Sequence, residues 1–312
     1  MLRRKSWEWR TKELKFAFEY LAGSYSNPYL KELNPSFIDR IRYFLGTLRI
    51  LIPLPSRYTK LWGLNFTYGL KCIHKDEKEK IFKIGYQGLK YIIPYEAYKD
   101  FIKILKGMTL YEHYQSFPVI INKGDIVIDC GAHIGIFSLL FAKLAGENGK
   151  VVAIEPEERN YQALVKMIEL NKNVAPIIPL KVAVYKEDCY LDLYIAKKSG
   201  SHTIAPYFNE RKDVLLDKKE KVRALKIDTI VFEELGLEKV DFIKMDMEGT
   251  EIDALLGAEQ TIKRFKPKLA ICSYHRPTDS EEIRNIILSY NPNYKIKEIE
   301  QGEKVLYAWD EY

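Results

Sequence analysis

Asp125-Ile-Val-Ile-Asp-Cys-Gly-Ala-His-Ile-Gly-Ile-Phe-Ser138, followed by Lys150-Val-Val-Ala-Ile-Glu-Pro156, decides the fold. Asp125–Asp129 is a short apolar run rich in β-branched residues, as expected of a central strand covered on both faces. Gly131 and Gly135 follow, where the chain must turn sharply and where a Cβ would hinder a close approach. Ile134, Phe137, Ser138, Leu140 and Phe141 then recur at helical spacing toward Gly146. A second apolar strand, Lys150–Ile154, ends on Glu155. Strand, glycine turn, helix and a second strand tipped by a carboxylate make the first half of a nucleotide-binding α/β unit, with the ligand at the strands' carboxyl ends.

The residue types narrow the ligand. Glu155 is placed to take both ribose hydroxyls, but a dinucleotide site would use the same acid. The turn separates the two cases. A dinucleotide fingerprint has G-x-G-x-x-G, whereas this loop is G-x-x-x-G preceded by Asp129. It favours an adenosyl-methionine moiety, which has no pyrophosphate to cradle, and Asp129 at the strand tip is expected to reach a ligand ammonium group directly or through water.

Outward from this unit the alternation continues. Strands are expected at Pro176–Val184, Asp241–Met245 and Lys268–Ser273, with helices at Glu157–Leu170, Glu248–Arg264 and Asp279–Ser289. A closing hairpin, Tyr294–Ile299 and Val305–Trp309 around Gln301-Gly302, should bring an antiparallel strand to the sheet edge. The segment Tyr190–Lys226 should insert a strand or two and a lid near the cleft.

From about residue 108 the sequence resembles the FkbM family of S-adenosylmethionine-dependent methyltransferases. The matching residues are Tyr111-Glu112, Val127–Gly135, Ile154–Glu157 with Asn160, Lys181–Val184, Leu225–Asp228, Asp241–Glu251 and Gly257-Ala258. The I-K-x-D-x-E-G-x-E block at Ile243–Glu251 is the most specific of these. His133 stands where the family usually has Asn. The resemblance implies a class I (Rossmann-like) methyltransferase: an α/β fold with a mostly parallel seven-stranded sheet and an antiparallel last strand. It implies S-adenosyl-L-methionine as cofactor and O-methylation of a hydroxyl on a glycan or small molecule. The cofactor-binding set it implies is Glu112, Asp129, Gly131, Ala132, His133, Gly135, Glu155, Pro156, Ala183, Val184 and Asp246.

An alcohol is about as weak an acid as water (pKa ~16), so transfer to it needs a base or a metal. Asp246 and Glu248, expected to end the fourth strand and open the next helix, and His275, after the fifth strand, are the catalytic candidates. His202, Lys244 and Glu251 are expected to contact the acceptor. Two carboxylates so close could hold a divalent ion, but the reading assigns no metal.

Composition limits the remainder. A chain of 312 residues with 47% hydrophobic content suits one large domain plus an accessory region. The expected division is an N-terminal accessory region at 1–107, helices followed by a β-hairpin, and a methyltransferase domain at 108–312. Cys72, Cys130, Cys189 and Cys272 form no C-x-x-C pair and read as buried thiols of a reducing compartment. Met1-Leu-Arg-Arg-Lys has no apolar stretch behind it, and no run is long enough to span a bilayer, so a cytoplasmic location is expected.

The net charge of +6 is concentrated in the first sixty residues. There Phe37, Ile41, Phe44, Leu45, Leu48 and Leu51 form an apolar stripe flanked by Arg40, Arg42 and Arg49. It reads as a helical cap or homodimer surface, or as a basic amphipathic face for peripheral membrane contact. The alternative readings are a nucleic-acid methyltransferase and a non-catalytic S-adenosylmethionine-binding protein, but nucleic acid is not the expected partner. The fourth strand tip lacks the D/N-P-P-Y-type loop of nucleic-acid N-methyltransferases. Nearer the core, Leu64–Leu70 and Lys80–Ile93 read as a hairpin around the charged turn Lys75–Lys80.

Overall fold

The computed structural model describes residues 72–76, 78–86, 88–94, 101, 114–196, 200–204, 214–300 and 303–310. The expected amphipathic helices of the first sixty residues, the strand Leu64–Leu70, Glu112 of the cofactor set and parts of the insert lie outside them. Two compact units divide between residues 113 and 114.

In the first unit, β1 (Cys72–Asp76), β2 (Ile81–Tyr86) and β3 (Leu89–Pro94) form an antiparallel meander. The run Lys80–Ile93, expected as one strand, is two, because Gly88 turns the chain at φ 82°. Leu89, Tyr91 and Ile93 alternate onto the buried face of β3, and the Tyr91 ring packs on Phe101 at 5.4 Å.

The second unit is built on a seven-stranded sheet in the order β12-β13-β11-β10-β4-β5-β6. Its strands are β4 (Ile126–Cys130), β5 (Lys150–Ile154), β6 (Ile177–Leu180), β10 (Phe242–Met245), β11 (Lys268–Cys272), β12 (Tyr294–Glu300) and β13 (Lys304–Asp310). β4, β5, β6, β10 and β11 run parallel, and β13 lies antiparallel to both β11 and β12. The antiparallel strand therefore sits one place in from the edge. Val305, Leu306, Tyr307 and Ala308 are all buried, whereas β12 exposes Lys295, Lys297 and Glu300 and tolerates the edge.

β4 and β5 have every residue buried but the first, as their unbroken apolar runs require. Helix α1 (Ile136–Ala145) leaves the β4 turn, and α2 (Glu158–Leu170) follows β5. The chain order reverses between β4 and β10, and a crevice opens there at the strands' carboxyl ends.

Two further expected elements are divided. The strand Pro176–Val184 becomes β6 plus β7 (Ala183–Val184), which joins a smaller sheet with β8 (Cys189–Ala196) and β9 (Val214–Leu225) in the order β7-β9-β8. The insert thus supplies two long strands. The helix expected over Glu248–Arg264 starts only at Glu251 and breaks into α4 (Glu251–Leu256) and α5 (Glu259–Phe265). The break follows from packing: a Cβ on Gly257 would lie 2.3 Å from the Tyr185 carbonyl oxygen. Asp228, in the one-turn helix α3 (Ile227–Thr229), then caps α5, accepting from the Gln260 and Thr261 amides at 2.9 and 2.8 Å. α6 (Asp279–Tyr290) precedes the final hairpin. Among the described residues no helix is long and apolar enough to cross a membrane.

Candidate cofactor cleft and acidic cluster

The turn after β4 is fixed from above and below. Above, the Gly131 and Ala132 amides donate to the Ile154 carbonyl at 3.1 and 2.9 Å, and the His133 amide donates to Glu155 Oε2 at 2.9 Å. His133 sits at φ 51°, a left-handed conformation in which Asn, Asp and His are the enriched non-glycine residues. That explains how a histidine fills a position usually held by Asn. Below, β4–β10 register places Lys244 directly opposite Asp129. Lys244 Nζ lies 3.0 Å from Asp129 Oδ1 and donates to the carbonyls of Cys130 and Gly131 at 3.0 and 2.7 Å. Ser138 Oγ donates to the other Asp129 oxygen at 2.6 Å.

This geometry corrects two expectations. Asp129 is fully buried beneath the loop, so it does not face a ligand ammonium group. Lys244 is 2% exposed and its ammonium is committed to the loop, so it does not face an acceptor. Burial alone would push Lys244 down, but Asp129 and then Asp246 outweigh it and hold its pKa above the usual value. The two turn glycines also separate in role. Gly131, at φ 77°, borders the cleft, and a Cβ there would lie 2.0 Å from the Asp246 carbonyl oxygen. Gly135, at φ 85°, is buried against α2, where its Cβ would lie 2.5 Å from Leu164 Cδ1. Ala132 is likewise buried in the turn rather than on the cleft wall.

The cleft is half open to solvent, with about 560 Å³ of space in it and at its mouth. Gly131, His133, Glu155, Pro156, Ala183, Val184, His202, Asp246 and Glu248, all anticipated from sequence, line it together. Asn160, Leu193, Thr203, Ile204, Met247 and Thr250 line it too and were not singled out as site residues. Thr203 arrives from the β8–β9 insert and donates through Oγ1 to the Glu248 carbonyl at 3.1 Å, a long-range contact with no local sequence signal.

Glu155 is 6% exposed, and its carboxylate accepts from the Glu157 amide at 3.0 Å as well as from His133. Burial nevertheless outweighs these bonds and pushes its pKa up to about 7. His133 and His202 are both neutral near pH 7. Burial is the main cause in each case, taking His133 down to about 4 and lowering His202. His202 Nδ1 accepts from the Ala196 amide at 2.9 Å.

Beyond the β10 tip lies an acidic cluster. Glu248 adopts φ 58° in the loop before α4. Glu251 is 1% exposed and closes that loop, accepting from the Met247 amide at 2.6 Å and the Gly249 amide at 3.0 Å. The sequence reading set Glu251 against the acceptor; it instead organises the loop. His275 lies behind, with its side chain 4% exposed, Nδ1 3.4 Å from Glu251 Oε2 and Nε2 3.9 Å from Glu248 Oε2. Neither ring nitrogen is aligned for a hydrogen bond. Burial opposes protonation of this ring. The adjoining Glu251, then Asp246 and Glu248, outweigh burial and raise its pKa to about 9. The ring is thus buried and protonated at neutral pH, the opposite of the cleft-facing base that its place after β11 suggests.

Asp246 does face the cleft, and sequence reasoning missed what holds it. Tyr114 OH donates to Asp246 Oδ2 at 2.5 Å. The Tyr114 ring is buried, edge-on to Phe137 at 4.8 Å and 5.3 Å from Lys244 Nζ. Nothing in the local pattern around Tyr114 marks a partner 132 positions away.

A doubly wound sheet with its crevice between β4 and β10, a carboxylate at the β5 tip and an antiparallel strand inserted beside β11 together define a class I, Rossmann-like methyltransferase fold. Residues 129–295 match the Methyltransferase FkbM domain, and the chain belongs to that S-adenosylmethionine-dependent family. It is 28% identical over 160 residues to methyltransferase sdnD of Sordaria araneosa, covering 43% of this chain and 60% of that protein. It is 25% identical over 154 residues to methyltransferase 1 of Beauveria bassiana, covering 43% and 59%. The chain thus spans about three-fifths of the curated relatives it matches. The solved FkbM methyltransferase of Methylobacillus flagellatus aligns at 23% identity and TM-score 0.46, over 69% of this chain and 55% of that one.

Proposed function

We propose that this chain is an S-adenosylmethionine-dependent O-methyltransferase whose acceptor is a hydroxyl of a glycan or small molecule. The observation that carries the reading is one cleft bordered at one side by the buried Glu155 carboxylate and at the other by the Asp246–Tyr114 pair. The cofactor fits the residues present. Glu155 is desolvated, so ribose hydroxyl donors would favour its ionised form. Val182, Ala183 and Val184 offer an apolar wall for a base, and Gly131 leaves space where a Cβ would intrude. Glu155, the His133–Gly131 turn, Pro156 and Asn160 would hold the nucleoside portion. When bound, the cofactor supplies an electrophilic sulfonium methyl.

The chain's own groups then act on the acceptor. Tyr114 fixes one oxygen of Asp246, leaving the other to accept the acceptor's hydroxyl proton as the oxygen attacks. The protonated His275 offsets the charge of Glu248 and Glu251 behind that base. Thr203 ties the insert to the Glu248 backbone, so the β8–β9 sheet shapes the acceptor side. Alignment and exclusion of water supply much of the rate, because the methyl donor is already reactive. In this reading residues 108–312 carry out transfer in the cytoplasm and residues 1–107 are accessory, as a cap, a homodimer face or a peripheral membrane contact. A nucleic-acid acceptor is disfavoured by Met245-Asp-Met-Glu-Gly249 at the β10 tip.

Calorimetry with S-adenosylmethionine, paired with radiolabelled methyl transfer to glycans, hydroxylated metabolites and RNA, tests the proposal. Asp246→Ala and His275→Ala should retain cofactor binding while losing turnover. Lack of binding at millimolar cofactor removes the enzyme reading, and full activity of both variants removes the catalytic assignment.

A further inference from the structure

The acidic cluster gathers three side chains of metal-ligating type, and the buried ring among them lacks an aligned hydrogen bond. One oxygen of Asp246, one of Glu251 and a ring nitrogen of His275 lie within 4.8 Å of one another. The His275 side chain is 4% exposed, yet neither ring nitrogen makes a hydrogen bond. Buried polar atoms without partners are rare, and an ion is one of the few things that satisfies them. Glu251 already accepts two amides, one on each oxygen, and each oxygen keeps a further lone pair. Those amide bonds fix the carboxylate's orientation, as outer contacts do in built metal sites.

We propose that Asp246, Glu251 and His275 form a binding site for a divalent first-row transition metal. Two carboxylates and an imidazole suit Mn²⁺, Fe²⁺ or Zn²⁺ better than Ca²⁺ or Mg²⁺, which take oxygen ligands. Metal bonds of about 2.1 Å place neighbouring ligand atoms about 3 to 4 Å apart. From separations of up to 4.8 Å, the groups therefore need to close by up to about 1 to 2 Å. Glu248 adds a third carboxylate, beside the ring at 3.9 Å. Only Asp246 of the three borders the cleft, so a cation here would meet an acceptor from that side. Its service to the reaction would be to lower the pKa of the acceptor hydroxyl, with Glu248, which also lines the cleft, taking the proton in place of the metal-bound Asp246. That consequence rests on the methyltransferase reading, but the site itself does not.

The test is titration of the full chain, without cofactor, with MnCl₂ and separately ZnCl₂, followed by calorimetry and by Mn²⁺ paramagnetic resonance. Mildly alkaline buffer is used because protons compete for the imidazole. One saturable site per chain is expected, weakened at least about tenfold in Asp246→Asn and in His275→Gln, since even outer-contact changes cost that much. Asp246→Asn is part-exposed and isosteric, so it reports even if the buried His275 variant folds poorly. S-adenosylhomocysteine binding is measured in parallel. Metal binding without nucleoside binding would refute the enzyme reading and leave the site standing. No saturable site at millimolar metal, or binding unchanged in both variants, overturns the proposal.

Discussion

Lys244→Met tests the support of the cofactor turn most directly. The substitution keeps the side chain's length and removes its charge. It leaves Asp129, fully buried, with only the Ser138 hydroxyl, and strips a donor from the Cys130 and Gly131 carbonyls. Breaking a buried ion pair by removing one partner costs about 3–5 kcal/mol, mostly through the stranded charge. For a domain of this size each kcal/mol lowers Tm by about 2–4 °C, so a fall of about 6–20 °C is expected. Removing the stranded charge as well separates charge from packing. Asp129→Asn with Lys244→Met should be less destabilised than Lys244→Met alone by about 2 kcal/mol, because a neutral amide costs much less to bury. Thermal and urea unfolding by circular dichroism give the three energies, and amide exchange on β4 and β10 locates the loss. S-adenosylhomocysteine affinity should fall in both Lys244 variants, since the Gly131 carbonyl loses its anchor. A loss under about 1 kcal/mol in Lys244→Met, or single-variant effects that simply add in the double variant, would refute the reasoning.

Glu155 sets a pH dependence. Its pKa rises from 4.5 in the unfolded chain to about 7, so the folded protein binds this proton more tightly. Its contribution to stability is present below about pH 4.5 and is lost as pH climbs to about 7, as unfolding across that range will show. S-adenosylhomocysteine affinity should move the other way, rising to a plateau above about pH 7 as the carboxylate ionises. Glu155→Gln should flatten this profile in calorimetry. Gly131→Ala forces a Cβ to 2.0 Å from the Asp246 carbonyl oxygen, at φ 77°. Cofactor affinity should drop more than about tenfold, beyond the ~1 kcal/mol of backbone strain alone. Gly236→Ala, at φ 55° with nothing within 4 Å of the added Cβ, should cost only that strain and leave binding unchanged.

Periodicity sufficed for β4, β5, β10 and β11 because each is covered on both faces and reads as a largely apolar run. It failed where contacts with another element set the structure. The helix break at Gly257 comes from the approach of the Tyr185 backbone, and the late start of α4 comes from Glu251 capping its own loop. Neither leaves a trace in 3.6-residue spacing.

The same division runs through the site. The sequence by itself determined the strand–turn–helix unit, the glycine turn and the carboxylate at the β5 tip, because chain direction and turn chemistry are local. Which acids face the cleft was decided by tertiary structure. Asp129 is hidden because strand register sets Lys244 opposite it. Asp246 is presented because Tyr114, from far along the chain, holds one of its oxygens. His275 lies among Asp246, Glu248 and Glu251 because the β10 and β11 tips are neighbours in the sheet. Charges that share a buried volume fix one another's ionisation, and that sharing exists only once the strands have paired.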